Sequence, residues 1–144
     1  MPLSPAQIEY CEQAWAVIID SELPIPLDIS RAAVASTLTG YSERDRTVYL
    51  GTNAFPNAQA ATANARLSVL ACLAHEYGHA QRHALGILRP NTLPDLLLDE
   101  AETSIHASFH PVVRPIDRED LVEDARDRLT TWLAYVTAPH TDEA

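Results

Sequence analysis

Basic side chains are scarce in this chain, and those present are arginines scattered along it. Ten of them against twenty acidic residues leave a formal net charge of −10. A nucleic-acid surface needs clustered Lys and Arg to neutralise phosphates, so direct contact with nucleic acid is not expected. Cysteine is nearly absent. The two present, Cys11 and Cys72, are too few for a disulfide framework and are expected to be reduced core thiols. No run of eighteen or more apolar residues occurs, so a membrane span is not expected. Met1-Pro2-Leu3-Ser4-Pro5 has no basic segment followed by a long apolar stretch, so the expected location is the cytoplasm. What is abundant is apolar residues, 47% of the 144, enough for one hydrophobic core and one domain over 1–144.

The pattern along the chain alternates helix signals with a short β segment. Ile8, Cys11, Ala14, Trp15 and Ile18 recur at helical spacing after Ser4, a good N-cap, and Pro5, a good first residue, which predicts a helix from Pro5 to Ile19. Prolines 24 and 26 stop it. Ile25 to Leu38 predicts a strand, Gly40 to Arg46 a polar turn, and Thr47 to Leu50 a second strand, the two strands pairing as a hairpin. A loop over Asn53 to Asn57 precedes a long helix from about Ala58 to Leu85, capped by Gly86. Further helices are predicted over Asp95 to Phe109 and Asp117 to Val136, the latter turning Leu121, Ala125, Leu129, Trp132, Leu133 and Val136 inward. Its acids from Asp117 to Asp127, with Asp142-Glu143, are expected on a solvated face and tail. The sum is a mostly helical α+β domain with a small sheet against the long helix.

That helix carries His75-Glu76-Tyr77-Gly78-His79. Residues four apart stack on one face of a helix, so His75 and His79 can offer imidazole nitrogens to one cation. Glu76 stands on the flank, where its carboxylate can take a proton from an activated water as general base. Zinc suits two neutral imidazoles and a carboxylate, and lowers the pKa of water to roughly 7. The surrounding Leu67, Val69, Leu70, Ala71, Leu73, Ala74, Tyr77 and Ala80 predict burial, where ionisable groups need a partner and a metal is an economical one. Cys72, three residues before His75, is near enough to approach such a metal but is expected to act as a small apolar residue.

A third protein ligand is needed, and Asp99, Glu100 and Glu102 follow on the next helix. Spacing favours Asp99, with nineteen residues between it and His79, as for the glutamate of thermolysin-like peptidases. The apolar phase of Leu98, Ala101, Ile105 and Phe109 favours Glu102. Glu100 shares a stripe with Leu93, Leu97, Ser104 and Ala107, whose small members permit close approach to the metal. These arguments choose differently and leave Glu100 only slightly ahead of Glu102.

His75 to His83 resembles the HExGHxxxH of the ImmA/IrrE family, small metallopeptidases of bacteria, phages and mobile elements. Gly40-Tyr41 and Thr47 to Asn53 resemble the hairpin that these proteins place before the motif helix, and Glu100 to Ala107 loosely resembles their following ExEANxFA. Ser104 stands for the usual asparagine, His106 for the usual aromatic, and the LLxP continuation is missing. The resemblance spans about residues 38–108. It implies a zincin-like, gluzincin-type domain, a Zn2+ cofactor, Glu100 as the third ligand, and the cleavage or inactivation of DNA-bound repressors.

The remaining candidates are secondary. His83 continues the i, i+4 series but lies about 12 Å along the helix from His75, too far to share its metal. His106 and His110 fall where they could polarise a substrate carbonyl, and Tyr41 and Tyr49 where they could border a substrate groove. The expected function is hydrolysis of a peptide bond in a protein or peptide substrate, which could add to the hairpin edge as an extended strand. Two alternatives remain. One is a non-catalytic or vestigial zinc-binding interaction module with an acidic surface at Glu119, Glu123 and Asp127. The other is hydrolysis of a non-peptide amide with the same ligands.

Overall fold

Ser4 opens helix α1 (Pro5–Ile18) with a capping box, its hydroxyl accepting from the Gln7 N–H while the Gln7 side chain accepts from the Ser4 N–H. This computed structural model describes residues 1–55 and 67–138. Cys11, Trp15 and Ile18 form the buried stripe of α1. Beyond it the sheet has three short strands, β1 (Leu27–Asp28), β2 (Gly40–Ser42) and β3 (Thr47–Tyr49), in the order β1-β3-β2.

The hairpin is not the one that the apolar pattern predicts, but Gly40-Tyr41 does pair with the strand that begins at Thr47, as in the hairpin that the resemblance implies. Within Ile25 to Leu38 only Leu27 and Asp28 are in a strand, and they pair with β3 in parallel. Pro26 removes one ladder donor, and Ser30–Ala33 wind into a 3-10 turn instead. The antiparallel partner of β3 is β2, inside the stretch predicted as a turn, with Tyr41 opposite Val48 and both buried. One apolar residue in three is too little alternation to mark a strand. The turn proper shrinks to residues 43–46, where Arg46 takes a left-handed φ of 50°.

Helix α2 (Val69–Ala84) is buried on nearly every side from Val69 to Ala80. It begins later than predicted, because Ser68 caps it by accepting from the Ala71 N–H and Leu67 lies outside the helix. The predicted stretch from Ala58 to Arg66, Asn57 of the loop, and Asp142-Glu143 lie outside the described residues. At the other end Leu85 is the cap and Gly86 has φ +86°, with the Gly86 and Ile87 N–H groups donating to the His83 and Arg82 carbonyls. That closure needs a left-handed residue, which glycine supplies without strain.

Around α2 the other elements form a shell. From α1, Trp15 meets Tyr77 edge-on at 5.6 Å, and the Tyr77 hydroxyl donates to the Leu23 carbonyl while accepting from the Asp20 N–H. Helix α3 (Asp95–Ser108) lies so close that a Cβ on Gly78 would stand 3.3 Å from Thr103 Cγ2. Helix α4 (Pro115–Thr137) packs on α3 in antiparallel register, as Arg118 meets Ser108, Asp124 meets Ser104 and Arg128 meets Glu100. The register explains a second correction. It sets the start of α3 beside about residue 133, so Leu133 and Val136, predicted inward, are exposed, while Leu121 and Ala125 are buried. Among the described residues no helix is long and apolar enough to cross a membrane.

Candidate metal centre

His75 and His79 come from adjacent turns of α2, and Glu100 from the facing side of α3. One ligand atom from each lies within 4.8 Å of the others. His79 Nε2 and Glu100 Oε1 approach to 2.6 Å, and His75 Nε2 is 3.5 Å from Glu100 Oε2. Yet His75 Nε2, His79 Nε2 and Glu100 Oε1 are all buried without a hydrogen-bond partner among the described residues. Buried polar atoms rarely remain unpaired, and three converging on one point match a cation's ligand set.

The outer faces of the two imidazoles are settled by α3. Ser104 donates its hydroxyl hydrogen to Asp124 Oδ2 at 2.5 Å, so its oxygen must accept from His75 Nδ1 at 2.8 Å. Thr103 likewise donates to the Asp99 carbonyl at 2.8 Å and stands 3.4 Å from His79 Nδ1. His75 therefore carries the proton on Nδ1 and turns a lone pair on Nε2 inward, the tautomer that a metal ligand needs, and the Thr103 oxygen facing His79 Nδ1 favours the same tautomer there more weakly. Asp124 is in turn bonded by Arg128 Nε at 2.9 Å, and Arg128 reaches Glu100 Oε2 at 3.1 Å. A ring of five side chains, His75, Ser104, Asp124, Arg128 and Glu100, thus closes through three helices.

Electrostatics favour a cation at the centre. Burial is the largest influence on His79 and, outweighing the Glu100 carboxylate, pulls its pKa down to about 3, so this imidazole is neutral. Burial also acts against a charge on His75, but Glu100 and Glu76 outweigh it and raise that pKa. Glu100 would be raised by burial, and contact with both histidines overrides this and holds its pKa below the ordinary carboxylate value. The two carboxylates favour positive charge between the imidazoles, whether carried by protons or by a metal that displaces them.

Glu76 is buried, and its Oε1 accepts from the Tyr41 N–H at 3.2 Å. The hairpin thereby fixes the carboxylate beside His75, and the edge strand β2 spends a backbone donor on it.

The other candidates fall outside the cluster. Asp99 is buried behind His79, 3.9 Å from Nδ1, and bonded by Arg82 at 3.1 Å. Glu102 is half-exposed, 3.8 Å from Arg82. His83 Nδ1 pairs with the Tyr41 hydroxyl at 2.8 Å. His106 pairs with Gln81 and lines a separate cavity with Asp20 and Phe109. His110 spends both nitrogens on backbone, at Ile18 and Val112. Tyr49 bonds Asp45 and lies under Arg31, whereas Tyr41 does border a cavity at the site. Cys72 and Cys11 are unpaired, buried thiols, and Cys72 is not among the ligand atoms.

The acidic stretch of α4 is corrected in part. Asp117 and Asp124 are buried, the first bonded to Arg114 and Ser68, the second to Ser104 and Arg128. Sequence reasoning assigned no site role to Thr103, Asp124 or Arg128, and marked Ser104 only as a small residue and as the stand-in for the family's asparagine. An acid and an arginine four apart, Asp124 and Arg128, were visible as a pair, but only the α3–α4 register shows what they hold. Set against protein-family models, curated proteins and solved structures, the chain matches none of them, so the assignment of this centre rests on its own geometry and chemistry.

Proposed function

We propose that this chain is a zinc-dependent peptidase that hydrolyses a peptide bond in a protein or peptide substrate. The observation that carries the proposal is the convergence of His75 Nε2, His79 Nε2 and Glu100 Oε1, buried without a hydrogen-bond partner among the described residues, with the outer nitrogen of His75 held as a donor to Ser104. Two imidazoles and one carboxylate are a donor set suited to zinc with a position left for water. When bound there, zinc polarises a carbonyl and lowers the pKa of water toward neutrality.

The protein's own groups supply the rest. Glu76, oriented by the Tyr41 N–H, takes the proton of the attacking water and returns it to the departing amine. Ser104 and Asp124 keep His75 in its ligating tautomer, and Arg128 prevents Glu100 from turning away. A cytoplasmic setting belongs to the same reading, since Cys11 and Cys72 are both unpaired. So does a repressor of a bacterium or mobile element as substrate, which the resemblance of the motif implies.

Glu76→Gln tests the mechanism. It is expected to bind zinc as the wild type does while losing at least about a thousandfold in cleavage, the loss of a general base with its electrostatic share. Retained cleavage would refute the role of Glu76. The rival interaction module is favoured by one observation, the exposed Glu119, Glu123 and Asp127 on α4. It requires Glu76→Gln to be silent and removal of those three acids to abolish function.

A further inference from the structure

Beside the metal centre lies a cavity of about 470 Å³ that shares Glu100 with it and is walled by Tyr41, Glu43, Arg89, Leu93, Leu97 and Arg128, Glu43 being engaged by the Arg89 backbone. Its two cations are in different situations. Arg128 is committed, with Nε on Asp124 and a terminal nitrogen on Glu100. Arg89 has a buried Nε with no hydrogen-bond partner among the described residues, and its nearest acid, Glu100 Oε1, stands at 3.8 Å. Its backbone is nevertheless anchored, the Arg89 N–H donating to Glu43 Oε2 at 2.9 Å. A fixed backbone, a buried guanidinium Nε without a hydrogen-bonded acceptor among the described residues and an adjoining cavity together describe a receptor for an anion. The leucines give it an apolar wall suited to the carbon stem that bears the charge.

Resting on the peptidase reading, we propose that this cavity is a substrate subsite in which Arg89 receives a carboxylate of the peptide, next to the bond that is cut. Arginine's planar fork matches a carboxylate in two parallel hydrogen bonds, which makes the subsite selective for an acid over its amide. The carboxylate can belong to an Asp or Glu side chain or to the peptide's C-terminus. Both sources offer the same two oxygens, and the shared Glu100 places either within one residue's reach of the centre.

The test uses zinc-loaded Glu76→Gln protein, immobilised, with and without Arg89→Ala, and a random N-capped hexapeptide library made once with free and once with amidated C-termini. Retained peptides are identified by mass spectrometry. The expected result is about tenfold enrichment of the acid over the matched amide, as a charge-assisted pair implies, and its disappearance in Arg89→Ala at equal zinc content. Enrichment of Asp and Glu over Asn and Gln in the amidated library identifies the side chain as the source. Enrichment of the free-acid library alone identifies the C-terminus. Absence of any acid preference, or the same preference in Arg89→Ala, overturns the proposal. Arg89→Lys, which keeps charge without the fork, should restore part of the preference and guards against a merely structural loss. Cleavage of the same library by the wild type is scored separately, so failure of the peptidase reading with intact acid retention is distinguishable from failure of the subsite.

Discussion

The two histidines of the centre sit four residues apart on one helix, yet their supports differ in kind. Behind His75, a 2.8 Å contact to Ser104 and a 2.5 Å bond to Asp124 lead to Arg128 and back to Glu100, in a closed ring. Behind His79, Thr103 is at 3.4 Å and the Asp99 carboxylate at 3.9 Å, and the chain runs out through Arg82 to the half-exposed Glu102. The difference arises from which helices take part. His75 is held by α3 and α4 together, while His79 is backed by α3, with Arg82 from its own helix. Orientation of His75 is therefore coupled to the docking of the last helix, and orientation of His79 is not.

Breaking the ring should have the largest effect. Asp124→Ala removes the acceptor of both Ser104 and Arg128, and is expected to weaken zinc binding about 10- to 100-fold, as outer-shell losses do. It should also lower stability by about 2 kcal/mol through the buried donors left unpaired. Competition with a calibrated chelator and denaturant titration read the two effects. Ser104→Ala cuts only the link to His75 and should cost about tenfold in zinc affinity with less effect on folding.

A third variant asks whether α4 docking itself is the coupling. Asp117 lies away from the metal, where it anchors α4 to the Ser68 cap of α2. Burial would raise its pKa, but the bonds from Arg114 and Ser68 prevail and lower it. A lowered folded pKa adds stability that is present above the unfolded value of about 4 and is lost as pH falls through the folded value. Asp117→Asn should accordingly destabilise the protein by about 1 kcal/mol at neutral pH, and the gap from wild type should close in unfolding curves taken below about pH 4. The smallest effect belongs to the loose side. Thr103→Val should change zinc affinity by less than about threefold, since a 3.4 Å contact is a weak hydrogen bond. Equal losses in Ser104→Ala and Thr103→Val would erase the contrast between the two flanks.

How much of this was legible from residues alone depended on the range of the interaction. Helices α1 and α3 were readable to within a residue or so, because Ser4, Pro5 and the spacing of Trp15 and Ile18 act locally, and so does the Gly86 terminus of α2. His75, Glu76 and His79 were readable because one helix fixes their relation. Glu100 stood only slightly ahead on residues alone, and the resemblance was what singled it out, since Asp99 and Glu102 are its neighbours and α3 rotation decides among them. Strand β2 escaped the residue pattern, though not the resemblance, because Gly40-Tyr41-Ser42 is polar and short, and it forms through its pairing with Val48 and its bond to Glu76. Asp124 escaped because an acid on a charged helix looks solvated until the neighbouring helix is in place.

The central claim is that His75, His79 and Glu100 form one metal centre. Elemental analysis of the purified wild type beside His79→Ala and Glu100→Ala tests it most directly. About one zinc per chain is expected in the wild type, in keeping with the one three-ligand cluster among the described residues, and loss of that zinc in both variants. A wild type that takes up no zinc when the metal is supplied, or a Glu100→Ala protein that keeps its full complement, would contradict it.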